Sequence, residues 1–374
     1  MGINVVISGS GVYLPEDNLS NQELVQSYNS FIDKAQSSEQ LSEASGERTA
    51  AYVTEQFIHK ASGIQNRRVI DKHGILDVDR MKPRISRRHE SELSLQAEMA
   101  VHAAEAALSN AKVRAQDLDL VIVASTSLER AYPAIAIEVQ NSLGAGGCAF
   151  DMSVACSSAT FAIQVAANTI TTGNASRALV VTPELATAQV NFRDKQSHFI
   201  FGDGSAALIL EAEEICTNDR AFRILGTQLK TRFSNAIRND FGFLNRCTEY
   251  NLDDDAAFTF RQNGIKVIRD VVPLASKHIS DHLAKLAISP REISRVWLHQ
   301  ANANLNRLVY HRVFHELPQE HRAPNILKDY GNLGSAGSIA AFSQFHDDLD
   351  QGSLGIICSF GAGYSVGSIV VKRN

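Results

Sequence analysis

The sequence contains little that would support a disulfide framework, a zinc knuckle or a membrane anchor. Its five cysteines are scattered and never form a Cys-x-x-Cys pair, so neither disulfides nor a cysteine-based metal site is predicted. A reducing cytoplasm is the expected compartment. No apolar run reaches membrane-spanning length, and no basic segment followed by an apolar stretch opens the chain, so no membrane partner is expected.

Positive charge is also scarce. The chain has 36 Lys and Arg against 41 Asp and Glu, a formal net charge of −5, so nothing predicts nucleic acid as a partner. No Gly-x-Ser-x-Gly motif of a serine hydrolase occurs. The Gly-Ser-Gly of residues 9–11 lacks the third glycine of a dinucleotide-binding fingerprint. With 374 residues, 44% of them hydrophobic, the chain can bury a large core.

Apolar strands and long helices alternate along the chain. Segments 118–124 and 293–298 each follow a long helix and a short polar link, and glycine-rich turns at 201–204 and 360–363 each join two strands. The alternation predicts an α/β fold with parallel-rich sheets that are covered on both faces.

The recurrence of these features divides the chain into two similar halves, residues 1–219 and 220–374. Polar segments at about 29–50 and 70–90 interrupt the first half. Two such halves packed together would bury the most apolar helix, which follows Cys156, between their sheets.

Cys156 is the first candidate for chemistry. Residues 149–164 indicate a short strand, a turn of small residues and a helix that reaches about Thr172. At the start of a helix, the free backbone N–H groups and the positive dipole end favour a thiolate. Most free cysteines are nevertheless inert core residues, so this segment alone leaves both roles open.

Two further segments end strands with polar side chains. His299 follows the strand Val296-Trp297-Leu298, at the edge where α/β proteins place their chemistry. Asn332 lies in a glycine-rich turn before a helix, where it could cap the backbone or direct its amide to a ligand.

Together the motifs resemble those of the β-ketoacyl-acyl-carrier-protein synthase III family of the thiolase superfamily. Ala-Cys-Ser-Ser at Cys156, His-Gln-Ala-Asn at His299 and Gly-Asn-x-x-Ser-Ala at Asn332 occur in the same order. The Gly-Ser-Gly-x-Tyr-Leu-Pro opening, the Phe-Gly-Asp-Gly turn and the Phe-Gly-Ala-Gly-Tyr ending match as well. The resemblance implies a five-layer α-β-α-β-α fold and a homodimer.

The resemblance also implies a decarboxylative Claisen condensation. Cys156 would take an acyl group from acyl-coenzyme A, and the backbone N–H groups of Cys156 and Ala362 would form the oxyanion hole. Malonyl-acyl-carrier protein would then lose carbon dioxide, with His299 and Asn332 as neutral donors to the enolate. The product would be a 3-oxoacyl-carrier protein of fatty acid or related biosynthesis. No metal or other cofactor is required.

The substrate-binding positions depart from the family pattern. Phe57 and Ala61 stand where Trp and Arg usually hold the coenzyme A nucleotide, and Lys195 stands for a second Arg. Asn304 replaces an Arg that usually meets the carrier protein, so Arg307 or the basic residues 84–88 are expected to serve instead.

Three other positions belong to this set. Tyr132 matches an aromatic residue that, by resemblance, crosses the dimer interface and limits the acyl pocket, and Phe360 is expected beside the substrate. The turn at Asn332 has one residue more than usual.

Without the Trp and Arg that usually hold the nucleotide of coenzyme A, more of the binding free energy must come from the acyl chain. Each buried methylene contributes about 0.8 kcal/mol, so a longer chain can offset a weakened surface contact. We therefore expect a primer of about six to ten carbons rather than acetyl.

Other members of the superfamily fit less well. A degradative thiolase needs a second cysteine where Ser359 stands, and the neighbouring Cys358 should face the opposite side of its strand. The Gly-Phe-Gly-Pro-Gly of plant-type polyketide synthases is missing. An enzyme of a specialised, polyketide-like pathway and a non-condensing acyl-binding subunit stay open as alternatives, although the second usually lacks the nucleophile.

Overall fold

The computed structural model describes residues 2–37, 52–240, 242, 247 and 258–374. Much of the predicted insertion at 29–50 therefore lies outside the described residues. Among the described helices, none is both long and apolar enough to span a bilayer.

The described strands follow the predicted order closely. They are β1 (Val5–Tyr13), β2 (Asp17–Ser20), β3 (Asn66–Val69), β4 (Leu120–Ala124), β5 (Cys148–Met152), β6 (Arg177–Glu184), β7 (Gly204–Ala212), β8 (Phe222–Ser234), β9 (Ile237–Arg238), β10 (Arg261–Gln262), β11 (Ile293–Leu298), β12 (Leu354–Gly361) and β13 (Gly363–Arg373).

The main sheet is mixed rather than parallel-rich as predicted. Its order is β11-β12-β13-β8-β1-β7-β6-β4-β5, and only β11–β12, β4–β5 and β4–β6 pair in parallel. Direct hairpin connections such as β12–β13 make the centre antiparallel. The two halves join through β1 and β8, which share only the pairs Val6–Arg223 and Ile7–Phe222.

The described helices are α1 (Asn21–Ser37), α2 (Glu55–Ser62), α3 (Lys72–Leu76), α4 (Leu95–Ala111), α5 (Ile135–Leu143), α6 (Ser158–Thr171), α7 (Gly264–Lys285), α8 (Ala303–Phe314), α9 (Leu327–Tyr330) and α10 (Ala336–Gln344). At the start of α1, Ser20 and Glu23 form a capping box: the Ser20 N–H donates to the Glu23 carboxylate at 3.0 Å, and the Glu23 N–H donates to the Ser20 hydroxyl at 3.2 Å. Helix α2 begins at Glu55 and is capped by Thr54.

Five layers result from this arrangement. Helices α6 and α10 lie in the centre and contact strands of both half-sheets. Helices α4 and α5 pack on the outer face of the first half-sheet, and α7 and α8 cover the second. Small buried residues such as Ala162, Ala166 and Gly337 let the central helices approach both sheets. The predicted five-layer α/β fold is confirmed.

The prediction that the turn at 201–204 joins two strands is wrong, because no strand precedes it. The segment Phe199–Phe201 is not a strand; it forms a loop with a single parallel bridge from Phe201 to Asn332. The side chains of the three residues, Phe199, Ile200 and Phe201, are buried against the α1–α3 region, which explains their strand-like apolarity. This loop connects the first half of the chain to the Asn332 turn.

Candidate active site

Cys156 lies in a strained turn between β5 and α6. Ala155 has a φ of 46°, an unusual value for a residue with a side chain. The hydroxyl of Ser158 closes the turn by accepting from the N–H of Val154 at 2.8 Å and donating to the carbonyl of Ala155 at 2.6 Å. The turn places the Cys156 side chain at the meeting point of two cavities.

Gly361 packs directly against the cysteine. A Cβ atom at this position would lie 2.6 Å from Cys156 Cβ and 3.1 Å from its Sγ. Glycine is therefore required here by a close approach between the halves. The same contact brings the backbone N–H of the following residue, Ala362, to the sulfur.

The pKa of the Cys156 thiol differs from what its position at the start of a helix predicted. Burial raises the pKa of the thiol to about 12, and the nearby Glu184 acts in the same direction. The prediction that the helix start favours a resting thiolate is therefore wrong, because desolvation outweighs the N–H groups. Those of Ala362 and Cys156 itself do point at the sulfur and partly counter the shift. They are placed to stabilise an oxyanion that forms beside it.

His299 is held at the end of β11. Its backbone N–H donates to the carbonyl of Cys358 at 2.8 Å, and its ring meets the Phe360 ring edge-on at 5.5 Å. Its Nδ1 atom is buried, and no described residue bonds to it. Burial lowers the pKa of His299 to about 4. The ring is therefore neutral near pH 7, with Nε2 as the nitrogen that can serve the cavity.

Asn332 is fixed on both sides by the backbone. Its N–H donates to the carbonyl of Ile200 at 2.9 Å, and its carbonyl accepts from Gly202 at 3.1 Å. Its side-chain Oδ1 accepts from the N–H of Gly334 at 3.0 Å. Because the oxygen is engaged, the amide NH₂ group is the end left to donate to a ligand.

The main cavity brings these residues together. It has a volume of about 230 Å³ and is lined by Cys156, His299, Asn332 and Phe360. Most other lining side chains are apolar, among them Phe199, Phe201, Phe260, Val267, Ile268, Val271 and Leu305. A second cavity of about 130 Å³ also reaches Cys156 and is lined by Ala362, Thr126 and Ala186. The cysteine therefore borders two spaces, each of which can hold a substrate segment.

Phe57 and Lys195 do not line the main cavity. They meet on the surface beside the lining residue Phe199, and this surface is called the mouth below. The Lys195 ammonium lies 5.6 Å from the centre of the Phe57 ring, and that ring packs edge-on against Phe199 at 5.9 Å. Asn304 lies nearby on α8, where its amide donates to the carbonyl of Lys60 at 3.0 Å.

Arg307 and Tyr132 do not line the main cavity. Arg307 lines a separate shallow hollow beside α8. Tyr132 is 84% exposed in the segment before α5.

The strand alternation predicted for the thiolase comparison is confirmed. Ser359 faces the central layer, where its hydroxyl lies 2.8 Å from that of Ser338. Cys358 packs into the core of the outer layer with Val296 and Leu298. No cysteine stands where a degradative thiolase would need its second one.

Sequence reasoning missed Glu184 and Phe260. Glu184 is fully buried at the end of β6, and the rule that singled out His299 at a strand end could have found it. Phe260 lines both cavities and packs edge-on against Phe201 at 4.8 Å. No local signal marks Phe260, because it follows a polar loop.

Comparison with known proteins agrees with this architecture. The family models described as 3-oxoacyl-[acyl-carrier-protein] synthase III and its C-terminal part match residues 150–232 and 283–373. A Pseudomonas aeruginosa protein named β-ketodecanoyl-[acyl-carrier-protein] synthase is 46% identical over 94% of this chain and 100% of its own length. A β-ketoacyl-[acyl-carrier-protein] synthase III from Bacteroides thetaiotaomicron is 27% identical over 99% of this chain and 96% of its own.

A solved structure shows the same fold. The 3-oxoacyl-[acyl-carrier-protein] synthase III of Aquifex aeolicus aligns with a TM-score of 0.76 over 98% of this chain and 99% of its own, at 24% identity. The five layers and the buried cysteine turn thus define an acyltransferase of the thiolase fold. Within that class, the chain belongs to the β-ketoacyl-acyl-carrier-protein synthase III family.

Proposed function

We propose that this enzyme joins a medium-chain acyl primer to malonyl-acyl-carrier protein and releases a 3-oxoacyl-carrier protein. The observation that carries the proposal is the convergence of Cys156, His299 and Asn332 on one largely apolar cavity. Two backbone N–H groups at the sulfur, from Cys156 and Ala362, support the same conclusion.

In the first half-reaction, Cys156 Sγ attacks the thioester carbonyl of acyl-coenzyme A. The carbonyl oxygen becomes an oxyanion between the N–H groups of Cys156 and Ala362. The carbon–sulfur bond to coenzyme A breaks, and the thiol proton leaves with the departing thiolate. A thiol with a high pKa makes transfer of this proton part of the step.

In the second half-reaction, malonyl-carrier loses carbon dioxide and its thioester becomes an enolate. The neutral His299 and the Asn332 amide can donate to the enolate oxygen without giving up a proton. The enolate carbon then attacks the acyl-Cys156 carbonyl. The new carbon–carbon bond forms as the Cys156 thioester breaks, which returns the thiolate for protonation.

The primer is proposed to carry eight carbons. The Pseudomonas aeruginosa relative is named for a β-ketodecanoyl product, and a condensation that adds two carbons reaches decanoyl from octanoyl. The exposed Phe57 at the mouth supports weak nucleotide binding, because it is 40% exposed and pairs with a lysine rather than an arginine. Affinity then rests on burial of the chain.

The second cavity is the proposed site of the acyl chain. In this proposal coenzyme A and the carrier both reach Cys156 through the main cavity, so the acyl chain needs a separate space beside the sulfur. The second cavity supplies that space beside Ala186 and Ala362.

Carrier docking is assigned to Arg307. Arg84 and Arg88 already pair with the carboxylates of Asp77 and Glu98, whereas Arg87 and Arg307 pair with no described carboxylate. Arg307 is preferred because it lies on α8 together with Asn304, the position where the usual carrier-contacting Arg is missing. Replacement of Arg307 by Glu should raise the KM for malonyl-carrier several-fold and leave the KM for acyl-coenzyme A unchanged. The matched control is Arg312→Glu on the same helix. If Arg307→Glu and Arg312→Glu raise the KM for malonyl-carrier equally, the assignment of carrier docking to Arg307 is wrong.

The enzyme is proposed to act as a homodimer. Strand β5 is an edge strand of the main sheet, and large apolar side chains nearby are exposed: Tyr132 is 84%, Ile137 48% and Phe150 38% exposed. A second copy that pairs along this edge would cover them. Sedimentation analysis of wild type and Phe150→Asp tests the assembly, and a monomeric wild type would contradict it.

The division into halves at residues 219 and 220 and a cytoplasmic location stay predictions.

The decisive assay for the primer measures kcat/KM for acetyl-, hexanoyl-, octanoyl- and decanoyl-coenzyme A with malonyl-carrier. We expect a maximum at octanoyl. Ala186→Phe should move the maximum to shorter chains, because the larger side chain fills the second cavity. Ala188 is the control, since it is exposed on the same one-turn helix, Ala186–Gln189. Ala188→Phe should leave the maximum unchanged. A clear maximum at acetyl in the wild type would refute the medium-chain assignment.

A further inference from the structure

Glu184 is a buried carboxyl group that the two half-reactions do not use. It ends β6 with no measurable exposure. Its Oε1 atom accepts from the N–H and hydroxyl of Thr126 at 2.8 and 3.0 Å. The same oxygen accepts from the N–H and hydroxyl of Ser335 at 3.1 and 2.5 Å. No Lys, Arg or His in the described ranges forms an ion pair with it, and its Oε2 has no partner there.

These four donors come from two segments that are far apart in the sequence. Thr126 follows β4 in the first half of the chain, and Ser335 precedes α10 in the second. A single carboxyl oxygen therefore ties the Asn332 turn to the wall of the second cavity. This is more hydrogen bonding than one buried oxygen needs for its own satisfaction.

Gly334 connects the carboxyl to Asn332. A Cβ atom on Gly334 would lie 2.7 Å from Cδ and Oε2 of Glu184, and the residue has a φ of +53°. Its N–H is the group that holds Asn332 Oδ1 at 3.0 Å. The carboxyl thus packs against the residue that fixes the amide, within the turn that is one residue longer than the usual family form.

We propose that Glu184 is a positioning residue that holds the Asn332 amide towards the thioester oxygen of the malonyl substrate. The inference rests on the proposed condensation. Without the carboxyl, the N–H groups of Thr126 and Ser335 would each lose their acceptor in a buried place, although the Ser335 hydroxyl can still donate to the carbonyl of Ala124. Gly334 would lose the surface it packs against. The turn could then shift, and Asn332 would no longer be held at the enolate.

The protonation of Glu184 suggests a conservative replacement. Burial raises the pKa of this carboxyl to about 7, against the opposing effect of its hydrogen bonds. A neutral side chain is therefore close to the native state, and Glu184→Gln keeps an oxygen that can accept from both backbone N–H groups. Glu184→Ala removes the acceptor altogether.

The experiment measures Cys156 self-acylation and malonyl-carrier decarboxylation separately. Glu184→Ala should slow decarboxylation about tenfold or more, as expected when a donor is misplaced by a fraction of an ångström. Self-acylation should not slow, because removal of the carboxyl also removes a group that disfavours the thiolate. Glu184→Gln should keep both rates within about threefold of the wild type, since it retains the acceptor.

The matched control is Glu211→Gln. Glu211 is also buried, at the opposite end of the β6–β7 pair, where it bonds to Arg177. Its replacement can lower stability but should not change the ratio of the two rates. Equal slowing of both half-reactions by Glu184→Ala, or no slowing of decarboxylation, would overturn the positioning role.

A second variant covers the case in which Glu184→Ala does not fold. Gly334→Ala places a methyl group against the carboxyl and should slow decarboxylation more than acylation, and the unchanged ratio would overturn the proposal. These outcomes differ from a failure of the proposed function, in which the wild type itself would form no acyl-Cys156 or no condensation product.

Discussion

The inner end of the main cavity and the mouth, the surface at Phe57 and Lys195 beside the cavity, are built by different means. At the inner end, backbone hydrogen bonds hold His299 and Asn332, and a closed turn holds Cys156. At the mouth, Phe57 is 40% exposed and Lys195 contacts its ring. The reaction geometry therefore depends on how both halves fold, whereas donor recognition depends on surface side chains that can change at little cost.

The inner end should respond most strongly to substitution. His299→Ala and Asn332→Asp each remove a donor aimed at the enolate, which is worth about 3 kcal/mol, or roughly a hundredfold in rate. Malonyl-carrier decarboxylation should fall by this amount, while Cys156 self-acylation should fall less. Asp keeps an oxygen for the Gly334 N–H, but it replaces the NH₂ donor with a carboxylate oxygen that also repels the enolate, so its loss should be at least as large as that of His299→Ala.

His311→Ala is the control for the histidine, because His311 is exposed on α8. It should leave both rates unchanged. Equal loss of both half-reactions in His299→Ala would instead assign His299 as the base that activates the thiol, and the proposed division of roles would be wrong.

Substitution at the mouth should have only a small effect on the kinetics. Lys195→Ala removes one exposed charge and its contact with the Phe57 ring, together worth about 1 kcal/mol. KM for octanoyl-coenzyme A should therefore rise about fivefold or less with kcat unchanged. Lys277→Ala, an exposed lysine on α7 paired with Asp281, should change nothing. A loss of kcat at Lys195 would show that the mouth also shapes the reaction geometry.

Lowering the pH from 7 to 5 should change the decarboxylation rate less than any of these substitutions changes the rate or KM that it affects. The pKa of His299, lowered to about 4 by burial, keeps the ring neutral down to about pH 5. Decarboxylation should stay within about twofold between pH 7 and 5, whereas an ordinary imidazole pKa of about 6.5 would lose about 25-fold through protonation. A fall of that size would contradict a neutral His299.

The pH experiment needs a folding control by circular dichroism. The buried His278 and His282 also have pKa values lowered to about 4. Because the unfolded chain takes up their protons near pH 6.5, stability should fall as the pH drops from about 6.5 to 4. Rates are therefore comparable only where the folded signal is unchanged.

The sequence was most informative where chemistry requires particular residue types. Cys156, His299 and Asn332 each follow a strand end or a glycine-rich turn, and the structure places all three on one cavity. The alternation of strands and helices likewise predicted an α/β fold whose sheets are covered on both faces, and the family resemblance implied the five layers. Both signals are local, or repeat along the chain, so a single sequence contains them.

Other features depend on contacts between distant segments. The thiol pKa of Cys156 is set by burial and by Glu184, and neither can be read from the residues beside the cysteine. The Glu184 network joins positions that are 58 and 151 residues away. The apolar segment Phe199–Phe201 suggested a strand because its burial comes from packing against the α1–α3 region rather than from a sheet.

The most direct test of the central claim is intact-protein mass spectrometry after incubation with octanoyl-coenzyme A, followed by addition of malonyl-carrier. The account predicts one octanoyl group on wild type, located at Cys156, and its removal as 3-oxodecanoyl-carrier. Cys216→Ala should behave as wild type, and Cys156→Ala should stay folded and unmodified. Acylation of Cys156→Ala, or an acyl group on wild type that malonyl-carrier never removes, would contradict the account.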